Sequence, residues 1–238
     1  MKKRSYASAG LALLAAVIAG CASTKVVNRQ PIDVGKIPRP HTIVVYYFAA
    51  TPEDAAAADP ALVGEAAPPS KPPTAQQAQD ARQLGVLIAT ELAAEIQDMG
   101  LTAKAGPIGT PLQMNDIVIK GYLLSADPGS RAERMTIGFG AGASELTTAV
   151  EGFQMTPQGL RKLGSGTLEA GGGKTPGAAV GVATLVATGN PAGLIVSSGM
   201  KIYGEASGNS TLEGRAKATA KEIADKIKPR FQEQGWIQ

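Results

Sequence analysis

The chain has 238 residues, 44% of them hydrophobic and 4% aromatic, and its formal net charge is +3. Three of the 23 basic residues lie in a predicted signal peptide over residues 1–20, so the mature chain carries 20 charges of each sign. No basic cluster with interleaved aromatics remains, and the sequence predicts no nucleic-acid partner. One histidine, His41, and one cysteine, Cys21, predict no metal site, no cofactor and no intramolecular disulfide.

The start of the sequence has the pattern of a lipoprotein signal. Lys2, Lys3 and Arg4 precede an apolar run that closes on Ile18-Ala19-Gly20-Cys21, and small residues before the cysteine are typical of a cleavage site. The run is shorter than the roughly 20 residues of a membrane-spanning helix. The pattern predicts that Cys21 is lipidated and that the chain is cleaved before it. Many lipoproteins that stay in the inner membrane have an aspartate just after the lipidated cysteine, and neither Ala22 nor Ser23 is an aspartate. By resemblance to that sorting rule, we expect an outer-membrane anchor with the domain facing the periplasm.

The segment that follows the anchor and the first part of the domain differ in composition. Residues 21–41 are polar and rich in proline, which predicts an extended tether. A single domain is predicted over residues 42–238. It starts with a strand at Thr42–Ala49, which is dense in β-branched and aromatic residues. Residues 51–75 contain six prolines among alanines and acids, which predicts an exposed Pro/Ala-rich loop.

Two amphipathic helices are predicted, one in each half of the domain. In the first, over Ala78–Met99, apolar residues recur every three or four positions and Gly100 follows as the cap. That apolar stripe consists of Leu84, Leu87, Ile88, Leu92, Ile96 and Met99. The second helix covers Leu212–Phe231, and Pro229 is expected to limit its length.

The residues between the helices predict strands. Alternating or continuous apolar patterns indicate strands at Asp116–Ala126, Arg134–Phe139, Glu145–Phe153 and Leu160–Glu169. Asp127–Ser130, with proline and glycine at its centre, predicts a turn between the first two. Together with the helices, these strands predict an α+β domain in which the two amphipathic helices cover a mixed sheet.

Residues 176–203 form a nearly uncharged stretch of glycine, alanine, valine and leucine. Small residues four apart, at Gly177 and Gly181 and again at Gly189 and Gly193, predict a helical hairpin whose arms approach closely. Each arm has about a dozen residues and is shorter than a bilayer core of about 30 Å. The hairpin is expected to pack on the domain or lie at the membrane surface, and its four glycines are the candidate partner surface. Insertion into the bilayer is the alternative.

No catalytic residue is predicted. Gly171–Thr175 lacks the first glycine of a phosphate-binding loop, and Gly164–Gly166 is too short for a nucleophile elbow around Ser165. Glu91 and Glu95 lie four apart on the first helix but off its apolar stripe, as expected for a solvated helix face. We therefore expect this protein not to be an enzyme.

The stretch Gly129–Ser144, with the sequence GSRAERMTIGFGAGAS, resembles the bacterial lipoprotein family named domain of unknown function 4410. The likeness extends to the early strand that ends at Phe48, to the helix that ends at Gly100 and to the closing Gly235-Trp236. The resemblance implies a lipoprotein but brings no activity. A fainter likeness to the TolB amino-terminal domain and the curli secretion lipoprotein implies an α+β sandwich.

These observations favour a noncatalytic lipoprotein that binds envelope proteins during assembly or export and forms homo-oligomers. One alternative is an oligomeric pore component that enters the membrane through residues 176–203. The least favoured alternative is an enzyme that acts on envelope polymers.

Overall fold

A computed structural model of the chain describes residues 24–59, 74–127, 145–170, 201–202 and 209–238. In these ranges, the elements in chain order are β1 (Thr24–Pro31), β2 (Ile43–Tyr46), α1 (Pro52–Ala58), α2 (Ala75–Asp98), β3 (Ala103–Gly106), β4 (Ile117–Asp127), β5 (Glu145–Thr156), β6 (Gly159–Ala170), β7 (Lys201–Ile202) and α3 (Asn209–Glu233).

The strands form one mixed sheet with the order β1-β6-β5-β4-β2-β3. Along β1, β6, β5 and β4 each strand is antiparallel to the next, whereas β2 runs parallel to both β3 and β4. The short strand β7 pairs with the end of β4, opposite Ser125 and Ala126. Because α2 connects the parallel strands β2 and β3, it crosses one face of the sheet. The predicted α+β class with a mixed sheet and two covering helices is confirmed.

The main core lies between one face of the sheet and the helices α2 and α3. Its fully buried side chains include Ile43 on β2, Ile88 and Leu92 on α2 and Leu123 on β4, with Ile223 of α3 almost fully buried. Two smaller clusters occupy the opposite face, where α1 and the 107–112 loop pack on Tyr122 and Val118. Both faces of the central strands are therefore buried, which explains their nearly continuous apolar sequence.

Phe48 holds α2 close to the sheet. Its backbone N–H donates to the carbonyl of Gly85 on α2 at 3.3 Å. A Cβ at Gly85 would lie 2.4 Å from the Phe48 carbonyl oxygen, and a Cβ at Gly121 on β4 would lie 2.3 Å from the nearest carbons of the Phe48 ring. Glycine at both positions therefore lets α2, residue 48 and β4 approach more closely than any side chain would allow.

The end of α3 lies two residues beyond the predicted end at Phe231 and four residues beyond Pro229. The helix contains Pro229 and continues to Glu233. It ends in a Schellman motif in which Gly235 has φ +76° and the Trp236 N–H donates to the Phe231 carbonyl at 2.9 Å. The Phe231 and Trp236 rings, 5.3 Å apart, pack together across this cap. The cap and the buried ring pair stabilise the last turn, which outweighs the one hydrogen bond that the proline removes.

Two predicted irregular segments contain regular structure. The predicted tether over residues 21–41 includes β1, which pairs along its length with β6. The predicted loop over residues 51–75 includes α1, which Thr51 caps by accepting the Asp54 N–H at 3.2 Å. Arg82 of α2 also pairs with the Asp54 carboxylate at 3.0 Å.

Several sequence predictions fall outside the described residues. They are the signal peptide and Cys21, the turn and return strand over residues 128–144, and the hairpin with Gly177, Gly181, Gly189 and Gly193.

Candidate functional site

A cavity of about 170 Å³ lies between α3 and the half of the sheet formed by β5, β6 and β1. Its floor contains Gly152 on β5 and Gly164 and Gly166 on β6. A Cβ built at Gly152 would meet only the Leu163 Cβ, at 4.0 Å. The missing side chain at Gly152 therefore leaves space beneath α3, whereas a Cβ at Gly164 would meet the Gln30 carbonyl oxygen of β1 at 3.0 Å.

Most of the cavity wall is hydrocarbon. From α3, Ile223, Ile227 and Phe231 face the sheet at a spacing of four residues, as one helix stripe. From the sheet, Ile119 and Val150 complete the wall. Such a surface favours an apolar occupant, since water in an apolar cavity finds no hydrogen-bond partners.

Three basic side chains border the mouth of the cavity. Arg29 on β1 is exposed, and Lys226 and Arg230 on α3 are 48% and 35% exposed. Lys226 pairs with Glu222 at 3.0 Å, and Arg230 pairs with Glu233 at 2.9 Å. Each of these two cations is thus paired with a carboxylate of its own helix, whereas the structure gives Arg29 no ion pair with any described residue.

The far end of the cavity is closed by the segment between β1 and β2. Gln234 holds this segment by donating to the Gly35 carbonyl and accepting the Ile37 N–H, both at 2.8 Å. The indole N–H of Trp236, which also lines the cavity, donates to the Ile37 carbonyl at 3.4 Å. The end of α3 and residues 35–37 therefore form one fixed wall.

A second cluster of functional groups lies on the opposite face of the sheet. Glu151 is 4% exposed, accepts a hydrogen bond from the Tyr122 hydroxyl at 3.2 Å and pairs with Lys162 at 2.6 Å. Burial, reinforced by the negative charge of Glu151, raises the pKa of Tyr122 well above its usual range. The phenol therefore stays protonated and serves as a hydrogen-bond donor to the carboxylate.

Lys120 extends this cluster toward α1. Its ammonium group donates to the Ala58 carbonyl at 2.7 Å and lies 4.9 Å from the centre of the Phe153 ring. Burial lowers the pKa of Lys120, while Asp59 and Glu151 act in the opposite direction. The contacts tie the end of α1 to the sheet, because the last carbonyls of a helix need a donor. This cluster thus has a structural explanation.

The residues that sequence analysis considered for catalysis lie on α2, on β6 and before β2. Glu91 pairs with Lys217 of α3 at 3.5 Å, and Glu95 is partly buried on the same helix. Ser165 lies on β6 at the cavity, and His41 is exposed before β2. Within the described residues, no group of three His, Cys, Asp or Glu side chains could hold a metal ion. Among the helices of those ranges, none is both long and apolar enough to cross a bilayer.

Sequence reasoning missed the cavity. Arg29 lies in the predicted tether, and Gly152 and Gly166 lie in predicted strands without any feature that sets them apart. The available signal was the cluster of glycines along β5 and β6, because a glycine inside a strand often marks a place where another group approaches.

The comparisons with known proteins give one family and one group of similar structures. The sequence pattern of the family described as "Domain of unknown function (DUF4410)" matches residues 43–189, more than half of the chain. Two crystal structures of the PelC dodecamer from Paraburkholderia phytofirmans, one of them of a leucine-to-methionine variant, each align with a TM-score of 0.35. Their identities are 13% and 12%, over 73% of this chain and 95% of PelC. No protein of curated function matches significantly in sequence.

Proposed function

The chain belongs to the family described as Domain of unknown function (DUF4410), and from this premise we propose that it is a noncatalytic, lipid-anchored binding domain of the bacterial envelope. The anchor would be a lipidated Cys21 in the outer membrane, with the domain in the periplasm. Its partners would be envelope proteins that it meets at the membrane surface during assembly or export.

One observation carries this proposal, namely that β1 starts at Thr24, three residues after Cys21. Three residues of extended chain span about 10 Å. A lipid on Cys21 would therefore hold the sheet against the bilayer and not at the end of a long tether. The proposed partners would be contacted at this end of the sheet.

The end of the sheet next to the anchor can be defined by the strand register. Thr24 of β1 lies opposite Ala170 of β6, and Asp127 of β4 lies opposite Glu145 of β5. Lys201 of β7 pairs beside the end of β4. We call the edge formed by these five residues the anchor-side end. The described residues that flank segments 128–144 and 171–200 lie at or next to this end.

The proposal is tested by moving the domain away from the membrane. A flexible linker of about 20 residues, inserted between Ser23 and Thr24, keeps the anchor but lets the sheet leave the surface. The same linker inserted between Pro157 and Gln158, in the exposed turn at the opposite end of β5 and β6, is the matched control. Crosslinking in cells should capture envelope proteins with the wild type and the control, but lose them with the first insertion.

Cys21→Ala tests the anchor separately. This variant should lose lipid labelling, remain as uncleaved precursor and give no mature membrane-bound protein. Normal maturation and membrane retention of Cys21→Ala would refute the anchor. Identical crosslinks from both linker variants would refute binding at the anchor-side end.

The pore alternative is favoured by the same register, because residues 171–200 join strands at the anchor-side end. Ala187→Cys introduces the only free thiol once Cys21 carries lipid. A membrane-impermeant thiol reagent applied to open membrane sheets should leave this residue unlabelled if the segment enters the bilayer. Leu160→Cys, an exposed position at the opposite end of the sheet, should be labelled in the same sample. Full labelling of both positions would eliminate the pore.

A further inference from the structure

The cavity beneath α3 has the size and lining of a small-molecule site. An apolar cavity of about 150 Å³ in another protein stays free of water and binds benzene, and the cavity here is about 170 Å³ with an opening to solvent. Its capacity therefore matches one aromatic ring or one short acyl chain. Gly152 contributes to this capacity, because a Cβ there would meet only the Leu163 Cβ, at 4.0 Å, and a larger side chain would fill the space.

The basic side chains at the mouth of the cavity favour an occupant with a negative charge. The lining residues include Arg29, Lys226 and Arg230 but no carboxylate. Lys226 and Arg230 are paired with Glu222 and Glu233, which do not line the cavity. Arg29, on the edge strand opposite α3, keeps its charge available, and a guanidinium suits a planar carboxylate.

We propose that this cavity binds a monocarboxylate with a short hydrocarbon chain, of the medium-chain fatty acid type. The chain enters between α3 and the glycine floor, and the carboxylate remains at the mouth beside Arg29. This site is independent of the proposed partner binding, since it lies between α3 and the sheet and involves none of the five residues of the anchor-side end.

Trp236 provides a direct signal for binding, because it is the only tryptophan of the chain and lines the cavity. The full chain is reconstituted in polymer-bounded lipid discs, which contain no tryptophan, and titrated with ω-bromooctanoate. Free ligand is measured by equilibrium dialysis. Bromine in the cavity quenches Trp236 on contact, so saturable quenching is expected. ω-Bromooctanol tests the hydrocarbon chain without the charge, and acetate, added as a competitor, tests the charge without the chain.

Substitutions at the mouth and inside the cavity test whether the quenching signal comes from this site. Arg29→Gln should weaken the acid by about fivefold and leave the alcohol unchanged. The matched control is Lys104→Gln, an exposed cation on β3 at the other edge of the sheet, which should bind both ligands as the wild type does. Gly152→Leu should abolish quenching by both, and Ile227→Phe provides a second way to fill the cavity if Gly152→Leu does not fold.

The proposal is overturned if ω-bromooctanoate gives no saturable quenching of wild-type Trp236. It is also overturned if the acid and the alcohol bind equally and Arg29→Gln changes neither, or if a folded cavity-filling variant is still quenched. If acetate, which carries the charge without the long chain, displaces ω-bromooctanoate, the cavity is an anion site without an apolar component. This result would likewise contradict the proposal. None of these results depends on lipidation or on protein partners, so failure here leaves the proposed function untouched.

Discussion

Gly85 and Gly214 allow a test of how closely α2 packs on the sheet. Both are helix residues, and replacing a helical glycine with alanine stabilises a helix by about 1 kcal/mol when space permits. A Cβ at Gly214 on α3 meets nothing within 4 Å, whereas a Cβ at Gly85 would lie 2.4 Å from the carbonyl oxygen of Phe48. The same substitution should therefore change the free energy of unfolding in opposite directions at the two positions.

The magnitude at Gly85 follows from the contact. A carbon atom normally stays about 3.3 Å or more from a carbonyl oxygen, so α2 or residue 48 must move by about 1 Å. Overpacking of this kind costs about 1–3 kcal/mol. The movement also weakens the hydrogen bond from the Phe48 N–H to the Gly85 carbonyl, which contributes about 1 kcal/mol. After subtraction of the gain in helix propensity, Gly85→Ala should destabilise the protein by about 1–3 kcal/mol.

Urea and thermal unfolding of the two purified variants, followed by circular dichroism, measure the difference. For a domain of this size, 1 kcal/mol corresponds to about 2–4 °C in Tm. Gly214→Ala should raise the Tm by up to that amount, and Gly85→Ala should lower it. If Gly85→Ala raises the Tm as Gly214→Ala does, the result contradicts a close contact between Phe48 and α2 at Gly85.

Three further substitutions test other contacts. In Tyr122→Phe, loss of the donor to buried Glu151 should cost about 1–3 kcal/mol at neutral pH. Because the pKa of Tyr122 is raised on folding, wild-type stability should fall as pH rises above about 10, where only the unfolded phenol ionises. Urea midpoints of the variant should fall less steeply over that range, and parallel curves would contradict a buried neutral phenol. The Asp116 carboxylate accepts hydrogen bonds from the backbone N–H groups of Thr42 and Gln113, at 3.0 and 2.7 Å. Asp116→Ala should therefore lower the free energy of unfolding by about 2–4 kcal/mol in the same assay. A loss below about 1 kcal/mol would indicate that water replaces the carboxylate. Gly235→Ala places a side chain at φ +76° and should cost about 1 kcal/mol, and an unchanged midpoint would show that the cap adopts another conformation.

The central elements could be predicted because each has a pattern that the local sequence carries completely. The stripe on α2 and the β-branched run of β2 depend only on neighbouring residues, and both elements appear close to their predicted positions. The Schellman motif at Gly235 is also local, and the predicted end at Phe231 lies two residues before the observed one. The cap and the packing of Phe231 on Trp236 explain why the last turn after Pro229 remains helical.

The elements that sequence analysis missed depend on partners that are distant in the chain. The strand β1 contains Pro31 and polar residues, and it is a strand because its backbone pairs with β6 about 140 residues later. In contrast, α1 has a local start signal. Thr51 followed by Pro52, Glu53 and Asp54 is a favourable helix start, with a cap, a proline in the first turn and two acids. The many later prolines of the segment predict a loop, and in the sequence alone they outweigh this signal.

Because residues 24–31 form a strand and not a flexible tether, we expect that partner binding and ligand binding can be separated. Arg29 lies five residues along β1 from Thr24, which corresponds to about 17 Å of strand. A linker inserted between Ser23 and Thr24 changes the distance from membrane to sheet, but it leaves β1 paired with β6 and the cavity closed by α3. The insertion should therefore abolish partner crosslinks while the affinity of Trp236 quenching by ω-bromooctanoate stays the same. If ligand affinity falls together with the crosslinks, the membrane or the partner contributes to the cavity, and the site is not a property of the folded domain alone.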